Sequence, residues 1–67
     1  MEIEEIKKII KAEMDKEFRE SIRCETTSVQ YSEKDAEVSI FYYNMTTMHT
    51  HTWSVLRKLL KEIENGK

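Results

Sequence analysis

Three side chains in this sequence could bind a metal or drive a nucleophilic reaction: Cys24, His49 and His51. A thiolate and two imidazoles are ordinary Zn²⁺ ligands, and His49-Thr50-His51 would aim both rings to one side if the segment were extended. In a helix a spacing of two turns the rings apart instead. No second cysteine and no Asp or Glu lies close to the pair to complete four ligands, so no metal is expected. Cys24 with His49 or His51 is also the one pairing of a nucleophile with a base. A hydrolytic site needs more, namely a group that orients the base and donors that hold an oxyanion. The single glycine, Gly66, sits at the tail, which leaves no Gly-rich loop for an oxyanion or a phosphate. A lone cysteine is more often a small core residue. The expectation is a protein without a cofactor that is not an enzyme.

Binding is better provided for. From Val38 to Leu56, nineteen consecutive residues include no Asp, Glu, Lys or Arg, in a chain that is 36% charged. Interface cores are depleted of charge and enriched in Tyr, Trp and Met. The candidate partner-binding residues are therefore Phe41, Tyr43, Met45, Met48, His49 and Trp53. Nucleic acid is the alternative ligand, since Phe41 and Tyr43 on one strand face would form a stacking platform with Arg23 nearby for phosphate. The cations argue against it: residues 21–52 contain only Arg23 and Lys34, facing Glu25, Glu33, Asp35 and Glu37. The net charge of −2 is likewise unlike that of a general nucleic-acid binder.

The elements that must position these groups follow from patterning. Ile3, Ile6, Ile10, Met14 and Phe18 recur at steps of three and four, which predicts a helix over residues 2–20. From Ser21 the composition turns β-branched and aromatic, with Ile22, Cys24, Thr26, Thr27, Val29 and Tyr31, then Val38, Ile40, Phe41, Tyr42 and Tyr43. This reads as two strands joined by the polar turn Ser32-Glu33-Lys34-Asp35. Such a turn would set Tyr31 opposite Ala36 and Val29 opposite Val38. Trp53, Leu56, Leu60 and Ile63 mark a second helix over about 50–64, with Thr46, Thr47, Thr50 or Thr52 as its N-cap and Asn65-Gly66 as its stop. The expected fold is α+β, one domain over residues 1–67 in the order α-β-β-α. Both faces of its hairpin are partly apolar, so a second copy of the chain, or another protein, is expected to extend or cover the sheet.

Size and composition bound the rest. A chain of 67 residues buries only about 60% of its unfolded surface, which leaves a thin stability margin. One cysteine cannot form an internal disulfide, and a reducing compartment is expected. The first residues alternate acidic and apolar types instead of forming a basic start with an apolar run, and no stretch approaches the roughly 20 apolar residues that span a bilayer. The expected location is the cytoplasm. The polar side of the first helix, with Glu2, Glu4, Glu5, Glu13, Asp15, Glu17 and Glu20, would be repelled by anionic lipid. The expected function is a small regulator or inhibitor that docks on another protein and self-associates as a homodimer. In size and charge it is of the kind found among phage and mobile-element products. A dimeric nucleic-acid-binding or transcription-regulatory module is the alternative.

Overall fold

In the computed structural model, which describes residues 2–66, helix α1 (Ile3–Tyr31) and helix α2 (Ala36–Asn65) are joined by the four residues Ser32 to Asp35. The chain doubles back at that turn, so the helices run antiparallel in a rod 50 × 15 × 13 Å. The expected α+β fold is thereby corrected. No strand exists among the described residues, and both segments read as a β-hairpin are helical. The first helix starts where expected but continues eleven residues beyond Glu20, and the second begins at Ala36 instead of near Thr50. With no sheet, a second copy has no sheet to complete.

The local chemistry explains why β-prone residues sit in helices. Strand propensity measures how well a side chain fits a pleated, half-buried surface, and it yields when another packing is available. Here the hydroxyls of Thr27, Thr46, Thr47 and Thr52 each donate to the carbonyl four residues back, at 3.0 to 3.2 Å. Bonded in this way, each threonine satisfies its hydroxyl on its own helix. Between Ala36 and Asn65 there is neither proline nor glycine to interrupt the helix.

The turn is specified by Asp35. Its backbone is extended and its Oδ1 accepts from the backbone N–H groups of Glu37 and Val38, at 3.1 and 3.2 Å. This is an N-cap, and it takes the role expected of the later threonines. The Asp35 and Lys34 N–H groups both donate back to the Tyr31 carbonyl, which closes α1. At the far end α2 stops at Gly66, where an added Cβ would lie 2.5 Å from the Glu62 carbonyl oxygen.

The helices meet along one seam. From α1 it takes Ile6, Ile10, Met14, Glu17, Ser21, Cys24 and Ser28, and from α2 it takes Val38, Ser39, Tyr42, Met45, Thr46, His49, Trp53, Leu56, Leu60 and Ile63. The steps of three and four are those of an antiparallel coiled coil. Among the described residues only Ile10, Cys24 and Leu60 are buried. Phe18, expected on the core stripe, lies to one side of the seam at 55% exposure, because the seam advances from Met14 to Glu17 by three and leaves it 100° away.

Candidate functional site

Met48, His49 and Thr50 show how α2 divides its surroundings. Successive residues advance by about 100°, so His49 enters the seam while Met48 faces one broad side of the hairpin and Thr50 the other. The six candidate binding residues are divided by the same rotation. Phe41 and Met48 lie on the first broad face. Tyr43 lies on the second, at the same angle as Thr50 seven residues on. Met45, His49 and Trp53 belong to the seam or its edges. One continuous aromatic patch over residues 41–53 does not exist, because a helix distributes what a strand face would have gathered.

The first broad face is a stripe on α2 alone: Phe41, Met45, Met48, Thr52, Val55 and Leu59. Phe41, Met48, Val55 and Leu59 are exposed, from 43% at Leu59 to 61% at Met48, whereas Met45 is half-buried where the stripe meets the seam. The second broad face is shared by both helices. Phe18 and Ser21 of α1 join Thr50 and Trp53 of α2 around a shallow, largely apolar notch of ≈ 180 Å³. Exposed Ile22 and Val29 continue it along α1, and exposed Tyr43 along α2. Toward the chain ends the same face turns basic, where Trp53, Ser54, Arg57, Lys58 and Lys61 line a second hollow. The Arg57 guanidinium lies over the Trp53 ring, 5.7 Å from its centre, a cation–π contact.

His49 is engaged within the seam. Its Nδ1 donates to Glu17 Oε1 at 2.6 Å, with both side chains largely shielded from solvent. Cys24 sits two turns beyond Glu17 on α1, about 10 Å along the axis, and it is buried with a free thiol. His51 is exposed and points away from the seam. The structure therefore separates the three residues that a metal or a Cys–His reaction would need together, and no group of three potential ligands converges among the described residues. Phe41 and Tyr43 are separated as well. Two residues apart on a helix, they face opposite sides, and Phe41 packs its ring edge-on against Tyr42 at 5.2 Å. The stacking platform imagined on a strand face is absent.

Sequence reasoning missed Phe18, Ser21, Arg57 and Lys61 as neighbours of Trp53. A signal was present: Tyr43, Thr50, Ser54, Arg57 and Lys61 lie on one helical stripe, and so do Phe18, Ile22 and Val29. Each becomes visible only once both segments are read with a period of 3.6. No protein-family model, curated protein or solved structure matches this chain. What the protein does must be read from its own surfaces. No helix among the described residues is long and apolar enough to cross a membrane.

Proposed function

We propose that the protein is a small regulator or inhibitor that docks on another protein through the face formed by Phe18, Ile22, Tyr43 and Trp53. The observation that supports this reading is the solvent-open apolar notch between Phe18 and Trp53, which runs directly into the cations of Arg57, Lys58 and Lys61. Monomeric proteins seldom leave contiguous aromatic surface open to water without a use for it. The sequence of apolar notch and then basic hollow along one groove suits an amphipathic helix with a large apolar anchor and acidic side chains one or two turns away. Trp and Arg are also the residue types that most often dominate binding energy. The free, buried Cys24 fits a cytoplasmic setting, where thiols stay reduced.

The test uses the exposed Phe18. Tagged protein and its Phe18→Glu variant are used to capture partners from a lysate of the source cells, with nuclease-treated controls. A protein retained by the native chain, resistant to nuclease and lost with Phe18→Glu while helical circular dichroism is unchanged, is the expected result. Trp53 is the only tryptophan, so adding the purified partner should also shift its emission to the blue. Equal recovery by both chains, or recovery of nucleic acid alone, would overturn the reading.

A further inference from the structure

On the docking reading above, we propose that the partner enters the groove between Phe18 and Trp53 as an amphipathic helix whose acidic half comes first and whose apolar half follows, so that it runs parallel to α1. Cations flank this groove on both walls. On α1, Lys7 and Lys11 precede Phe18 on its own helical stripe, by steps of four and seven. On α2, Arg57 and Lys61 follow Thr50 by steps of seven and four. The bonds between Ser28 and Ser39 and between Glu17 and His49 fix the level of one helix against the other. Carried toward the chain ends, that register sets Lys11 about level with Arg57, and Lys7 about level with Lys61. Lys58 adds a further cation to the hollow beside Lys61. The carboxylates nearest these rungs are fewer: Glu4, already bonded to Lys7 at 3.3 Å, and Asp15 and Glu64 at the edges of the face.

Charge and shape together select the occupant. Two packed helices stand about 8–10 Å apart, and the channel above their seam suits a third helix of about 10 Å diameter. A nucleic-acid strand is charged along its whole length, but the cations occupy one end of the groove only. Toward the other end Glu25 lies on the α1 stripe between Ile22 and Val29, and Glu33 and Asp35 flank Lys34 in the turn. Phosphates would be repelled there. The fitting occupant is charged over one half and apolar over the other, as the groove is. From Tyr43 to Lys61 the helical rise is about 27 Å, which a partner helix covers with about 18 residues. Its direction follows from its own dipole. The dipoles of antiparallel α1 and α2 largely cancel, whereas carboxylates gathered at one end of a helix stabilise it only when that end is the N-terminus. The acids therefore precede the apolar anchor by one and two turns.

Two alanine-based peptides of about 18 residues, both without tryptophan, serve as probes. The first carries Glu in its opening two turns and Phe and Leu on the same side thereafter, and the second has the same residues in reverse order. The first should shift the emission of Trp53, the only tryptophan, to the blue, and its binding should weaken as salt is added. Lys11 and Lys61 are exposed. Replacing them together as Lys11→Glu and Lys61→Glu should weaken binding about tenfold, with the circular dichroism of the free chain unchanged. The reversed peptide should bind several-fold more weakly. No binding of the first peptide at about 1 mM, equal affinity for the doubly substituted chain, or tighter binding of a thymidine oligonucleotide would overturn the acidic helix. Equal binding of the reversed peptide would overturn its direction. The docking face itself fails separately: a captured partner lost with Phe18→Glu but kept by the doubly substituted chain leaves that face standing and removes the acidic helix.

Discussion

Beside the chain ends the seam closes with Ile6, Ile10 and Met14 against Trp53, Leu56, Leu60 and Ile63. Beside the turn it closes with Glu17, Ser21, Cys24 and Ser28 against Ser39, Tyr42, Thr46 and His49. The first half is apolar and its attraction has no direction, so sliding one helix past the other by a turn would cost it little. The second half is built from bonds that exist in one register only. Ser28 Oγ donates to the Ser39 carbonyl at 2.8 Å, Ser39 Oγ returns a bond to the Ser28 carbonyl at 2.9 Å, and two turns or more further on His49 reaches Glu17. Thr46 Oγ1 lies between these pairs, 3.5 Å from the Ser21 carbonyl. Stability and register are thus supplied by different ends of one interface. The small side chains near the turn let the backbones come close enough for hydroxyls to reach carbonyls.

The largest expected effect is in the apolar half. Ile10→Ala or Leu60→Ala removes one of the three buried side chains, and a loss of about 2–4 kcal/mol is expected in urea titrations followed by circular dichroism. In a domain with so thin a margin, that is enough to leave much of the population unfolded. A loss below about 1 kcal/mol at both sites would show that the apolar half is not where the stability resides. Next comes the Glu17–His49 pair. Glu17→Ala leaves a shielded imidazole N–H without its acceptor, and about 1–3 kcal/mol should be lost. Replacing both as Glu17→Leu with His49→Leu should restore the native urea midpoint or exceed it, since apolar pairs often replace buried ion pairs without loss. If the double variant stays as weak as the single one, the pair contributes stability and the contrast between the two halves fails. The smallest effect is expected at Ser28→Ala, about 0.5–1.5 kcal/mol for its donated bond, read from the same titration.

Several features of this architecture are legible in the residues. Ser32-Glu33-Lys34-Asp35 marks the reversal correctly, and its position alone fixes which residues lie opposite one another. The register that would pair Val29 with Val38 as strands is the one in which Ser28 meets Ser39 as helices. The stripe of Trp53, Leu56, Leu60 and Ile63 and the stop at Gly66 also carry their meaning locally. The state of residues 21–45 does not. Ile22, Thr26, Thr27, Val29, Val38, Ile40 and the aromatic run favour strands by composition, and their helical state depends on hydroxyl bonds to the preceding turn and on a partner helix, neither of which is a local property. An apolar presence on both faces of the imagined hairpin was the available clue. Three stripes on a helix, sampled with a period of two, look like a strand with no polar side. The candidate site suffered from the same choice of period, which joined Phe41 to Tyr43, while Phe18 and Trp53, each on a helix already legible, meet only through the antiparallel pairing of the two helices.

The placement of Met48, His49 and Thr50 on three different sides makes α2 unequally tolerant of length changes. One residue inserted after His49 would rotate the remainder of the helix by about 100° and bring Thr52, Val55 and Leu59 into the seats of Trp53, Leu56 and Leu60. A largely apolar seam could close again, at the expense of the stripe. One residue removed would rotate the helix the other way and bring Ser54, Arg57 and Lys61 into those seats, where two cations would face Ile6, Ile10 and Met14. A gain in length at this point exchanges an exposed apolar stripe for the hairpin's own closure, whereas a loss of length sets charge inside the seam.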